Sequence, residues 1–490
     1  MNHPGDLPLT AQAVGAHFIG NQWVRPAEGR TLPVVDPATG EIFAEIARGT
    51  AADIDAAVKA ARAAFEGAWG AMDPAERGRV LMRLSQLITV EGERLARIES
   101  RDVGKPFAQS RKDIANTARY FEFYAGACDK IAGELIPYPR GYTVMAQRVP
   151  FGVTGHIVPW NYPSQIFGRS VGAALAAGNA CVLKPPEDAC LAILEIAQLA
   201  VEAGLPAGAL NVVPGLGDEA GAALSAHPGI DHISFTGSPV TGTRVAQAAA
   251  LHHCPVTLEL GGKSPQVVFA DADLDAAAPV IVNAIVQNAG QTCSAGSRLL
   301  VERVAYEVVL ARLAEAFRAL TSGPADKDHP VGPLVNARQL ERVRGYVSKA
   351  EAEGLRCVAR GSVAPSAPKG GFYHPPMLFA DVPPGHALAQ EEIFGPVLVA
   401  MPFDTEAEAI ALANGTPYGL VAGVWTRDGA RQLRLARGLR AGQVFVNDYG
   451  AGGGVELPFG GFGRSGHGRE KGLAGLLGFT TLKTVAIKHN

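Results

Sequence analysis

The chain has 490 residues, 47% of them hydrophobic, a length that leads us to expect roughly three domains with sizeable cores. Lys and Arg number 44 against 47 Asp and Glu, a formal charge of −3 with no basic block, which argues against nucleic acid as a partner. No apolar run reaches the ~18 residues that a membrane span needs, and Met1–Gly20 lacks a charged head followed by an apolar core, so neither membrane insertion nor secretion is expected. The six cysteines, Cys128, Cys181, Cys190, Cys254, Cys293 and Cys357, form neither a disulfide framework nor a CxxC pair. No metal site is expected, and the reading is a soluble, cytoplasmic protein.

Residues 1–50 are punctuated by Pro and Gly, with short strand-like pieces such as Thr31–Val35. Ile54, Val58, Ala61 and Phe65 are spaced as one helix face, with Asp53 as its N-cap. Leu81, Leu84, Ile88, Leu95 and Ile98 predict a second helix, and Ala108–Ile131 a third. From Val149 the pattern changes. Strands are expected at Phe151–Val158, Ala180–Leu183, Leu210–Val213 and Ile230–Phe235. Helices at Ser164–Ala177, Ala189–Ala203, Asp218–Ser225 and Val240–Leu251 alternate with them, which indicates βαβ units and a parallel sheet.

Ligands of such sheets bind past the carboxyl ends of the strands. Three of these ends are polar or Gly-rich: Pro159-Trp160-Asn161, Lys184-Pro185-Pro186-Glu187 and Thr236-Gly237-Ser238. Ser238 is a good N-cap and Pro239 suits the first helical position, so this helix start would suit pyrophosphate; ordinary capping explains it equally. GxGxxG is absent. Glu187 at its strand end could accept from two ribose hydroxyls, or could form a solvated pair with Lys184.

A second block begins near Pro255. Glu259 lies between Leu258 and Leu260, an apolar setting that would raise its pKa and suit it as a base. Strand alternation would instead turn it to solvent. Val309, Leu313, Phe317 and Leu320 mark a core-facing helix, residues 361–371 a surface loop, and Gly450–Gly454 and Phe459–Gly468 late Gly-rich stretches. Cys293 stands in Gln287-Asn288-Ala289-Gly290-Gln291-Thr292-Cys293-Ser294, just after an apolar run. A free cysteine usually packs as a small hydrophobe. Its polar neighbours form cores poorly, and the adjacent glycine admits a close ligand, so a nucleophilic thiol is the sharper reading.

These residues fall into a known pattern. Along with Pro159-Trp160-Asn161-Tyr162-Pro163 and the strand ends above stand Leu258-Glu259-Leu260-Gly261-Gly262-Lys263, Gly290-Gln291-Thr292-Cys293, Glu392-Ile393-Phe394-Gly395-Pro396, Asn414–Leu420 and Pro458-Phe459-Gly460-Gly461. In this order and spacing the chain resembles the NAD(P)-dependent aldehyde dehydrogenase superfamily, of the hydrolytic, non-acylating type, over essentially its whole length.

The resemblance implies an α/β fold of three parts. A Rossmann-like NAD-binding domain would come from residues 1–128 and 148–258, a catalytic domain from 259–477, and a small β bridging or oligomerisation element from 129–147 and 478–490. A homodimer or homotetramer follows. Cys293 would attack the aldehyde, Asn161 and the Cys293 backbone N–H would hold the oxyanion, and Glu259 would activate the water that hydrolyses the thioester. Cofactor contacts would come from Pro159, Trp160, Lys184, Glu187, Gly217, Phe235, Thr236, Gly237, Ser238, Leu260, Gly261, Glu392 and Phe394. NAD is expected over NADP, because Glu187 would repel a 2′-phosphate, although Lys184 leaves some room for NADP.

Glu470 matches a family glutamate linked to proton relay, but its usual lysine partner is Ser170 here. The substrate would meet Arg169, Tyr162, Gln287, Thr292, Ser294 and Phe459. Arg169 resembles the arginine of succinate-semialdehyde dehydrogenases, which suggests a clamp for an acidic semialdehyde. Gln287 stands in place of their second arginine, and Gly450–Gly454 should widen the tunnel mouth. The plainer alternative pairs Arg169 with a neighbouring acid and leaves a neutral aliphatic or aromatic aldehyde as substrate. A CoA-acylating enzyme, disfavoured by Glu259, and a non-catalytic relative, disfavoured by Cys293, Glu259 and Asn161, remain as alternatives.

Overall fold

The computed structural model describes residues 13–327, 329–450 and 454–489, and two sheets dominate it. The first has eight strands in the order Gln22–Val24, His17–Ile19, Leu210–Val212, Ala180–Lys184, Val153–Ile157, His232–Thr236, Val256–Glu259 and Gly466–His467. Its centre is parallel, and strands such as Val153–Ile157 are buried along their whole length, as strands covered on both faces must be. The second sheet has seven strands, with Pro265–Val268 and Arg298–Glu302 at its middle. Each sheet has its own apolar core, and Val455, Leu476 and Phe479 return to that of the first. A separate sheet pairs Tyr142–Pro150 with Glu134–Ile136 and Thr480–Lys488.

Several helix boundaries differ from those expected. Thr50 caps the Ala51–Glu66 helix, and Asp53 closes a capping box from the third helical position. The 81–98 stripe belongs to two helices, Pro74–Val90 and Gly92–Val103, broken at Glu91-Gly92. The next helix is Phe107–Ala125, six residues shorter at its C-terminus than expected. The segment after Leu216 is a π-turn, Gly217–Gly221, before the short helix Ala222–Ser225. Inside the expected 361–371 loop, Ser362–Val363 pairs with Thr321–Ser322.

Candidate active site

Because the first sheet is parallel at its centre, its strands deliver their following residues to one edge. Val153–Ile157 leads to Pro159 and Trp160, Ala180–Lys184 ends on Lys184, and Leu210–Val212 precedes Gly217. His232–Thr236 leads to Gly237 and Ser238, and Val256–Glu259 to Leu260 and Gly261. Lys184 is buried and its Nζ lies 2.5 Å from Glu187 Oε2. Burial pushes the Glu187 carboxyl up, but the Lys184 charge and hydrogen bond outweigh it and hold the group below its ordinary value. Ser238 Oγ accepts from the Thr241 N–H at 3.2 Å, so the ordinary cap is real and opens the twelve-residue helix Pro239–Ala250.

The second unit reaches the same edge. Glu392 Oε1 accepts from the Gly262 N–H at 3.0 Å, and a Cβ on Gly261 would collide with that carboxylate. Phe394 meets Trp160 edge-on at 5.4 Å. A helix start, two carboxylates and a close glycine backbone thus share one rim. This set suits a dinucleotide: backbone N–H groups for phosphate and carboxylates for ribose.

The Cys293 turn follows the Leu274–Val286 helix. Asn288 and Ala289 hold left-handed backbone, at φ 47° and 54°, a strained choice that surrounding bonds must fix. Asn288 Nδ2 donates to the Asn161 carbonyl at 2.9 Å, and Asn161 Nδ2 to the Gln291 carbonyl at 2.9 Å. Gln291 is tied to Val335 N and Asn288 O. The polar residues that looked out of place in a core are the frame of this turn. Asn161 keeps a second amide N–H beyond the one bound to Gln291.

Cys293 faces a cavity of about 300 Å³. All six expected substrate residues line it: Tyr162, Arg169, Gln287, Thr292, Ser294 and Phe459. Tyr162 Oη lies 2.8 Å from Thr292 Oγ1, and Tyr449 Oη donates to the Ser294 carbonyl. Burial pushes the Cys293 thiol up to about 12, while the Arg169 charge pulls the other way. Gly450 reaches the cavity, but residues 451–453 of the stretch expected to widen its mouth lie outside the described residues.

Glu259 is buried, not turned to solvent. The antiparallel strand Gly466–His467 covers that edge of the sheet, with Gly466 directly opposite Glu259. Neither Glu259 oxygen has a hydrogen-bond partner among the described residues. Burial, then repulsion from Glu470, raises its pKa well above the ordinary range. Gly460 passes so close that a Cβ there would stand 2.9 Å from Glu259 Oε1.

Arg169 departs from the carboxylate clamp. It is 7% exposed, and its Nε pairs with Glu470. Nη2 donates to Thr236 Oγ1 at 3.2 Å, and the guanidinium lies 5.1 Å from the Phe459 ring centre. The plainer alternative, pairing with a neighbouring acid, is the arrangement found. It also answers the question that Ser170 posed, since the cation on Glu470 comes from the residue just before it. Ser170 joins a polar chain instead: Glu470 Oε1 accepts from Ser234 Oγ at 2.7 Å, Ser234 from Ser170 at 3.1 Å, and Ser170 meets His156 Nδ1 at 2.5 Å.

Three residues here escaped the reading of the sequence. Lys471 lines the Cys293 cavity, 2% exposed, its Nζ 5.5 Å from the Phe459 ring centre, and burial lowers its pKa to about 8. A lysine in a Glu-Lys-Gly turn gives no signal of burial. Ser234 and His156 sit inside strands, where only the neighbouring elements show what they touch. Among the described residues no three His, Cys, Asp or Glu side chains gather as a metal site, and no helix is long and apolar enough to cross a membrane.

The model of the aldehyde dehydrogenase family matches residues 23–485. A betaine aldehyde dehydrogenase of Cereibacter sphaeroides is 44% identical over 481 residues, covering 98% of each chain. Human retinal dehydrogenase 2 is 41% identical, covering 96% of this chain and 91% of its own. Among solved structures, a candidate aldehyde dehydrogenase from Burkholderia cenocepacia is 68% identical with a TM-score of 0.96, covering 97% of this chain and all of its own. The NAD+ complex of aldehyde dehydrogenase from Bacillus cereus is 41% identical with a TM-score of 0.95, covering 97% of each.

Proposed function

The chain belongs to the aldehyde dehydrogenase family and oxidises aldehydes with NAD; from that premise we propose that Cys293 is its nucleophile and Glu259 the base that frees the product. The observation that carries this reading is a thiol at the cavity together with a buried carboxylate whose oxygens have no hydrogen-bond partner among the described residues. Cys293 adds to the aldehyde carbon, and Asn161 with the Cys293 backbone N–H stabilises the oxyanion. NAD, when bound, supplies the hydride acceptor that takes the adduct to a thioester. Glu259 then takes a proton from water as that water attacks the thioester, releasing the carboxylic acid and the free thiol.

Lys184 and Glu187 would hold the adenosine ribose, Ser238 the pyrophosphate, and Glu392 and Phe394 the nicotinamide end. Glu187 favours NAD over NADP. The eight-stranded unit would carry the cofactor and the seven-stranded unit would present the thiol. The three-stranded sheet, with Leu135, Leu482 and Ile487 exposed, would join subunits into a homodimer or homotetramer. Six free thiols suit a cytoplasmic setting.

With Arg169 committed to Glu470, a neutral aldehyde is the substrate this cavity fits better. Formation of NADH is measured with hexanal, benzaldehyde and succinate semialdehyde, each with and without CoA. Turnover without CoA and higher kcat/KM for the neutral aldehydes are expected. A strict need for CoA would overturn hydrolysis, and preference for the acidic semialdehyde would restore the clamp.

A further inference from the structure

Arg169 spends its bonds inside the protein, yet it lines the cavity that Cys293 faces. Its position is fixed by the Pro163–Ala177 helix, by Glu470, by Thr236 and by the face of Phe459. Burying a guanidinium is costly, and one ion pair satisfies only part of its five-donor fork. The groups it faces explain the arrangement. Around it stand two groups that must carry negative charge during the reaction proposed above, the Cys293 thiol and the Glu259 carboxyl, and both are pushed towards their neutral forms by burial.

We propose that Arg169 is a positioning residue for the chemistry, not a substrate clamp: lining the same cavity as Cys293 and held by Glu470, its guanidinium supplies the fixed positive charge on which the Cys293 thiolate depends. Of the neighbours acting on Cys293, Arg169 favours the thiolate most, whereas on Glu259 its pull is outweighed by repulsion from Glu470. Glu392 and Glu259 oppose the thiolate. Lys471, near Cys293, adds a second cation, and burial combined with repulsion from Arg169 weakens its hold on a proton. Tyr162 and Tyr449, which also face Cys293, are neutral, their pKa values raised first by burial. Glu470 anchors the guanidinium and is not among the principal groups acting on the thiol. The paired carboxylate offsets part of the cation's field, but Arg169 lines the cavity beside Cys293 and Glu470 does not, so the positive end of the pair is the one turned to the thiol.

The inference rests on Cys293 being the nucleophile, and its test needs no turnover. The full-length protein without NAD is treated with iodoacetamide across pH 6–10, and the Cys293 peptide is followed by mass. Arg169→Gln should move the profile to higher pH by about one unit, a tenfold slower labelling near pH 8. Arg169→Lys should restore most of the rate. Glu470→Gln, which keeps the cation, should label no more slowly than the parent. Because Arg169→Gln alone strands a buried carboxylate, the double variant Arg169→Gln/Glu470→Gln gives a second reading free of an unpaired charge, and it should be as slow as the single variant. Labelling at the parent rate in the double variant overturns the proposal, and so does equal slowing by Glu470→Gln, which would mean packing alone is at work. Such a failure leaves Cys293 as the nucleophile untouched. Undiminished turnover by Cys293→Ala would instead overturn that reading without bearing on the labelling result.

Discussion

The rim of the first sheet and the floor of the Cys293 cavity each carry a basic–acidic pair, and the two are built in opposite ways. Lys184 and Glu187 are three residues apart, and about a third of the Glu187 side chain is open to solvent. Arg169 and Glu470 come from distant parts of the chain, with side chains only 8% and 1% exposed. At the rim Glu187 can turn to a ligand, because water and ligand both reach its carboxylate, while Lys184 beneath it is only 4% exposed. The floor pair cannot, since removing either member leaves a charge in the interior. Binding chemistry therefore belongs at the rim, and fixed electrostatics at the floor.

Substitutions can break that contrast, and the largest effect is expected at the floor. Cys293→Ala should lose at least about three orders of magnitude in kcat, because a positioned covalent catalyst is gone, while NAD binding, measured by calorimetry, stays near the parent value. Substantial turnover by this variant would show that the cavity thiol is a bystander.

Glu259→Gln comes next. One NADH per site should form rapidly and then stall, with acyl-enzyme visible by mass, and steady turnover at the parent rate would point to another base. The parent should also show a pH signature. Glu259 must be ionised to accept the water proton, and its pKa is raised, so deacylation is active above that value and lost as pH falls through it. The acid limb of kcat should lie above the ordinary carboxylate range, and a limb near pH 4 would contradict a buried base.

A stability measurement sharpens the comparison further. Arg169→Leu should destabilise the fold by about 3–5 kcal/mol, because it leaves Glu470 buried without its partner. Glu187→Gln should cost less, about 1–3 kcal/mol, because the lost carboxylate is a third open to water while the Lys184 ammonium it leaves is buried. Denaturant midpoints decide, and equal shifts would erase the distinction between rim and floor.

The smallest effect concerns cofactor choice. Glu187→Ser should lower the ratio of kcat/KM for NAD over NADP by about tenfold, by removing a carboxylate that accepts from ribose hydroxyls and repels a 2′-phosphate. An unchanged ratio would show that Glu187 does not face the ribose.

The sequence by itself determined what short-range chemistry determines. Apolar runs of strand length alternating with helical spacing marked the parallel sheet, and Ser238-Pro239 marked a helix start that the structure contains. Gly-Gln-Thr-Cys and its companion motifs marked the family. Where local signals competed, boundaries moved: Thr50 displaced Asp53 as a cap, and Gly92 divided one expected helix into two. The tertiary structure alone decided the charges of the site. Alternation along Val256–Glu259 could not tell whether Glu259 meets water, because the segment that passes over its carboxylate, at Gly460, lies some 200 residues later. Arg169 had the same ambiguity, a clamp or a paired ion, until the fold brought Glu470 to its Nε. Burial and pairing of a charge depend on which distant segment excludes the solvent around it, and no window of neighbouring residues contains that information.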